Sequence, residues 1–225
     1  ARAAARVKPV VIITPGTRGR RMREADTHTG RLAHPDAVRD AAFRRAGLLR
    51  VGSLDELFDA AETLGRQKPF EGGRLAILTN GRGLGALARD ALDKEGGKVA
   101  IPEVLENPLD LGGDAGPDSY AKALEALLTD RDVDGVLVLN LPNALADTNA
   151  IAQAVAETVV KERRKGFRRK PVFAVWPGAN SESMGRFDAA GIPCFASESE
   201  AVRGFMHLVR YREGLHQLMQ TPQAL

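Results

Sequence analysis

Cysteine is nearly absent from this 225-residue chain. Cys194 stands alone, which excludes an internal disulfide and any zinc site built on clustered thiolates, and suits a reducing compartment such as the cytoplasm. Aromatic residues make up only 5%, so the core has to be assembled from Leu, Val, Ile and Ala. No apolar run approaches the ~20 residues that span a bilayer, and the opening residues lack the apolar stretch of a secretory leader, so no membrane partner is expected. No Ser/His/Asp order or two-carboxylate geometry can be assigned.

What is present is an ordinary globular composition, 44% hydrophobic and 27% charged, which argues against wholesale disorder. The net charge of +3 hides an asymmetry. Residues 1–50 carry 12 Lys and Arg against 4 Asp and Glu, a net of +8, whereas the other 175 residues carry 20 against 25, a net of −5. A basic lobe joined to a mildly acidic one points to an anion near the amino end. Nucleic acid ranks last among such anions, because Phe43 is the only aromatic residue in the first 50 that could stack on a base. The chain opens on Ala1 rather than Met, which suggests a piece of something longer.

From residue 72 onward, short apolar runs alternate with helical periodicity. Strands are predicted at 75–79, 98–100, 136–139, 171–176 and 193–196. Helices are predicted to about 95, over 120–128, 146–160 and 184–190, and over 199–219, where Phe205, Leu208, Val209, Arg212, Leu215 and Met219 have core-like spacing. Strands that are apolar throughout and separated by helices imply a parallel sheet covered on both faces. Five such β/α units between 72 and 219 fit a flavodoxin-like, doubly wound α/β fold. The first 70 residues offer only a strand at 7–13, a polar stretch at 14–35, helices at 36–46 and 54–65, and a short strand at 48–51, with Ser53 and Glu56 spaced as a capping box. That is the carboxyl-terminal part of a second α/β domain. The expected division is therefore 1–70 and 71–225, the latter ending in a linker helix.

Three segments could carry chemistry. Asn80, Gly81, Arg82, Gly83, Leu84 and Gly85 form a glycine-rich turn between a strand and a helix, where free backbone amides at the positive end of a helix dipole suit an anion. The pattern is neither the dinucleotide fingerprint nor the P-loop, and a tight turn needing glycine is the bland reading. His28 lies in a small, polar, glycine-flanked loop among Arg18, Arg20, Arg21, Arg23 and Arg31. An imidazole there is a nucleophile near neutral pH, although a plain surface histidine is the commoner case. His34, His207 and His216 have structural readings. In residues 107–115, Asp110 and Asp114 are metal ligands or helix caps, with Asp114 favoured as the cap of the helix beginning near Pro117.

Residues 14–22, followed by Thr27, His28, Thr29 and Gly30, resemble the phosphohistidine loop of succinyl-CoA synthetase α subunits. They are closer still to the Ser-His-Thr-Gly loop of the NDP-forming acyl-CoA synthetases. Residues 40–51 and 54–58 are similar to the same family, and residues 77–85 with 107–114 resemble the carboxyl-terminal domain of the synthetase β subunit. Residues 205–212, with Thr221 and Pro222, resemble the helix leading toward the ATP-grasp part of single-chain members, many of which carry a GNAT protein acetyltransferase domain. The chain departs from the family in lacking the CoA-binding Rossmann domain and the ATP-grasp domain, and in having only residues 101–106 where the family has a longer segment.

The resemblance implies a fragment of an NDP-forming acyl-CoA (acetyl-CoA) synthetase, a ligase that interconverts acyl-CoA, ADP and phosphate with acid, ATP and CoA. His28 would carry the phosphoryl group, with Thr29, Gly30 and the turn at 80–85 binding phosphate. Mg, ATP/ADP and CoA would be held by the missing domains, so the fragment alone is expected to hold no cofactor and to be catalytically incomplete. Acyl phosphate is the remaining partner, and assembly as a homo-oligomer is allowed. The alternative is an acyl-CoA-sensing, catalytically silent region of a GNAT-type protein lysine acetyltransferase.

Overall fold

The computed structural model describes residues 2–14, 36–68, 70–102, 106–166 and 169–219. An alanine-rich start forms a short helix, α1 (Arg2–Ala5), ahead of β1 (Val11–Ile13). The strand expected at 7–13 is thus cut to its β-branched end, because alanine favours helix and Pro9 lacks an amide for a ladder. Next come α2 (Asp36–Arg45), β2 (Leu49–Val51) and α3 (Leu54–Arg66). β1 and β2 pair in parallel as a two-stranded sheet. At the start of α3, Ser53 Oγ accepts the Glu56 amide at 3.1 Å, while the Glu56 carboxylate accepts the Gly52 amide at 2.7 Å, one residue earlier than the capping box calls for.

A second sheet follows from β3 (Arg74–Thr79), α4 (Arg82–Lys94), β4 (Lys98–Val99), β5 (Leu109–Asp110), α5 (Pro117–Thr129), β6 (Gly135–Leu139), α6 (Thr148–Arg164), β7 (Val172–Val175), α7 (Ser181–Ala190), β8 (Cys194–Phe195) and α8 (Glu198–Met219). Its order is β4-β3-β6-β7-β8, with every pair parallel, and β5 pairs the far end of β3 on the same side as β4. Counting β4 and β5 as one interrupted edge strand, this is the flavodoxin order 2-1-3-4-5.

The strands are apolar throughout because each face is covered. Ala76, Leu78, Val136 and Val138 belong to one core with residues of α5, α6 and α7; Leu75, Ile77, Leu137 and Leu139 belong to another with residues of α4 and α8. The two-residue β5 was not expected. It is attached through Asn107, whose side-chain oxygen accepts the Ile77 amide at 2.8 Å and whose nitrogen donates to the carbonyls of Leu75 and Ala100, each at 2.9 Å. One side chain thereby supplies the rungs missing between β4 and β5.

The amino edge of this sheet is fastened by charge. Asp134, 3% exposed, accepts the amides of Gly73 and Arg74 and the Arg74 guanidinium, all on Oδ2 at 2.9–3.0 Å. Burial works against its charge, but the Arg74 guanidinium and the two amides outweigh it and hold the carboxyl below its ordinary value. Gly72, at φ +109, is required here: a Cβ would lie 2.0 Å from Asp134 Cγ. The terminal helix α8 lies against α3 at Gly204, where a Cβ would come within 2.8 Å of Thr63 Oγ1, and an Arg203–Asp59 ion pair at 3.0 Å joins the same helices. Met219, expected in the core, is 63% exposed, and Leu218 is buried in its place at 1%.

Candidate functional site

Ligands of open α/β sheets bind outside the carboxyl ends of the strands, at the point where strand order reverses. Here that point lies between β3 and β6, and the glycine-rich turn begins at the end of β3. Of the six turn residues, the structure gives three a packing role. Asn80, 5% exposed, spans the reversal: its Oδ1 accepts the Leu141 amide at 2.7 Å, and its Nδ2 donates to the Leu141 carbonyl at 3.0 Å. The Asn80 side chain is therefore committed to the loop after β6. The Gly81 amide donates to Thr79 Oγ1 at 3.1 Å, and a Cβ on Gly81 would sit 2.7 Å from Leu141 Cδ1. The Gly85 amide is already in the helix ladder, donating to the Gly81 carbonyl, and its Cβ would meet Pro108 and Thr79 at 3.0 Å.

The other three residues leave their amides for something else. α4 begins at Arg82 with Gly81 as N-cap and no side-chain cap, so the amides of Arg82, Gly83 and Leu84 have no partner within the helix. Nothing lies within 4 Å of where a Gly83 Cβ would be. The Arg82 side chain is 94% exposed, and its nearest carboxylate, Asp110, is 3.8 Å away. The result is three amides and a loosely paired guanidinium at the positive end of a 13-residue helix, an arrangement that suits a phosphate-sized anion.

The neighbouring loops are tied to this turn. Asn143 donates to the Gly113 carbonyl at 2.8 Å, linking the loop after β6 to the one after β5. Asp110 Oδ1 accepts the Gly112 amide at 3.1 Å, a local turn. Asp114 does not cap α5: the N-cap is Gly116 and bears no side-chain bond, because Pro117 at the first helical position already removes one free amide. Beneath the edge, the Tyr120 hydroxyl donates to the Leu139 carbonyl at 3.0 Å and accepts from Asn140 at 3.3 Å; burial pushes this phenol up from its ordinary value. Asn80, Asn107 and Asn143 were not foreseen as the fasteners of the edge. Their partners lie 30 or more residues away, except for the Ala100 carbonyl bonded by Asn107 and the local turn at Asn143.

His28, Thr29 and Gly30 lie outside the described residues, as do the arginines from 18 to 31. Thr14, the last residue described before them, accepts a hydrogen bond from Arg50 Nε at 2.7 Å. Among the described residues no group of three His, Cys, Asp or Glu side chains could hold a metal ion, and no helix is long and apolar enough to cross a membrane.

Residues 1–64 match the family described as a succinyl-CoA ligase like flavodoxin domain. The α subunit of the ADP-forming acetate–CoA ligase I of Pyrococcus furiosus is 30% identical over 229 residues, covering 94% of this chain and 48% of that subunit. The ADP-forming acetate–CoA ligase I of Archaeoglobus fulgidus is 33% identical over 228 residues, covering 94% of this chain and 31% of that protein. Among solved structures, the dinucleotide forming acetyl-coenzyme A synthetase 1 of Ca. Korarchaeum cryptofilum, in complex with phosphate and ADP, superposes with a TM-score of 0.78 at 25% identity, over 97% of this chain and 50% of that one. The chain thus spans about half the length of these proteins or less. Sequence and fold agree, and the chain belongs to the succinyl-CoA ligase-like superfamily of NDP-forming acyl-CoA synthetases.

Proposed function

We propose that this chain is the phosphoryl-carrying portion of an ADP-forming acyl-CoA synthetase, with residues 1–70 completing an α/β domain that begins elsewhere in the protein. In this reading an acyl-CoA reacts with phosphate to give an acyl phosphate and free CoA. A nitrogen of His28 then attacks the phosphorus, the acyl–oxygen–phosphorus bond breaks, and the carboxylate leaves. ADP in turn accepts the phosphoryl group from His28 to give ATP, and the free imidazole returns. CoA, nucleotide and Mg²⁺ are held by parts of the protein outside these residues, and the metal's contribution is to neutralise nucleotide phosphate charge. Alone, this chain has no turnover.

The observation that carries the reading is the uncapped first turn of α4 at the strand-order reversal, with the amides of Arg82, Gly83 and Leu84 unoccupied by the helix. Those donors are fixed before a ligand arrives, so they stabilise phosphoryl charge without reorganising. Thr29 and Gly30 would flank the histidine. The relatives named for ADP-forming acetate–CoA ligation, and the related structure described with phosphate and ADP, support the same assignment. ATP synthesis by the whole protein from acetyl-CoA, phosphate and ADP tests it. His28→Ala is expected to abolish ATP formation, and a variant that retains it overturns the proposal.

A further inference from the structure

A cleft of about 960 Å³ opens on the flank of α4 and meets the turn just described at Arg82. Its helix wall carries Arg82, Ala86 and Arg89, which recur at the i, i+4 and i+7 positions of one helical face. Val99, Ile101 and Pro108 supply the apolar part of its lining. Ile101 is 82% exposed, an isoleucine left to water at the cleft mouth. Arg89 is exposed and makes no ion pair among the described residues, and Arg82 has only the 3.8 Å approach to Asp110. Among the described residues, the acidic groups that line the cleft are Asp110 and Glu106.

A bare inorganic ion would leave the apolar wall wetted, and an uncharged apolar ligand would leave Arg89 unanswered. A pocket of this size with apolar walls and a few placed cations selects a ligand with both properties. We propose that the cleft binds an amphipathic oxyanion: a carboxylate or phosphate-ester head against Arg89, with Arg82 assisting, and an apolar chain along Val99, Ile101 and Pro108. Binding at Arg89 does not require phosphohistidine chemistry, because Arg89 lies about one and a half turns beyond Leu84, the last of the free amides of α4.

Calorimetric titration of the folded full chain with sodium octanoate, octyl phosphate, inorganic phosphate and octanol, each below its micellar concentration, tests the site. Octanoate or octyl phosphate is expected to bind at least fivefold more tightly than octanol and than inorganic phosphate, the preference between the two naming the head group. Arg89→Ala is expected to weaken anion binding about fivefold, the size of one partly exposed charge-assisted contact. Ala86→Trp, which fills the cleft from an exposed helix position, is expected to abolish it. His28→Ala is expected to leave it intact, so this inference and the phosphohistidine reading can fail separately. Absence of binding by both amphiphiles overturns the proposal. So does equal binding of octanol or inorganic phosphate, or unchanged affinity in both cleft variants.

Discussion

Asn80 and Leu141 are joined by two hydrogen bonds, one in each direction, between the Asn80 side-chain amide and the Leu141 backbone. This pair closes the reversal point of the sheet and places the loop after β6 against the first turn of α4. Asn80→Ala is expected to lower stability by about 1–3 kcal/mol, since it leaves a partly buried peptide unit unsatisfied. Asn80→Asp keeps the acceptor for the Leu141 amide but sets a carboxylate against the Leu141 carbonyl, so it is expected to melt below the wild type as well. Thermal unfolding followed by circular dichroism reads both, and a wild-type melting temperature for either contradicts the clamp.

Glycines 81 and 83 are expected to behave oppositely. Gly81→Ala sets its new methyl 2.7 Å from Leu141 Cδ1, which a turn of that half-exposed side chain relieves. Alanine is a poorer N-cap than glycine, however, so the melting temperature should fall slightly. Gly83→Ala meets nothing within 4 Å and replaces a poor helix former by the best one, so stability should hold or rise by up to about 1 kcal/mol. The same methyl stands beside the free amides, and phosphorylation of the whole protein by ATP should fall. Loss of stability in Gly83→Ala would show that this glycine serves the fold alone.

His207 gives the fold a pH dependence. It is 2% exposed in α8, its Nδ1 has no hydrogen-bond partner among the described residues, and burial, with Arg210 next, pushes it down to about 4 from an ordinary 6.5. Arg203 pushes the same way, while Glu56 and Glu95 oppose. Between pH 6.5 and 4 the unfolded chain binds a proton that the folded chain refuses, so stability is full above 6.5 and falls as pH drops toward 4. Denaturant midpoints across that window are expected to fall less steeply in His207→Gln, and an unchanged slope contradicts the assignment.

Asp134 acts at lower pH. Its carboxyl is held below its ordinary value, so the stability it contributes is present above about 3.8 and is lost as pH falls further. Asp134→Asn is expected to cost about 2 kcal/mol near neutral pH, less than a wholly buried pair because Arg74 is a third exposed. Urea unfolding at pH 7 measures this, and a loss below a few tenths of a kcal/mol contradicts the anchoring role.

The doubly wound sheet was legible in the sequence wherever strands are buried on both faces. The apolar run from Leu75 to Leu78 and that from Val136 to Leu139 announce themselves without reference to anything distant. The glycine-rich turn was legible for the same local reason. Its division of labour was not: Gly81 answers to Leu141 and Gly85 to Pro108, and neither spacing is periodic. β5 is not legible because it is only two residues long, too short to show a strand period, and it pairs only with the end of β3, beside the Asn107 side chain. Asp114 is not the α5 cap that its position suggests, because Pro117 reduces the need for one.

Placing the phosphate on a residue tests the central claim most directly. The whole protein carrying this chain is incubated with ATP and Mg²⁺, digested at alkaline pH and sequenced by mass spectrometry. One acid-labile phosphate on His28 is expected, absent from His28→Ala. No phosphate, or phosphate on any other residue of the chain, would contradict the account.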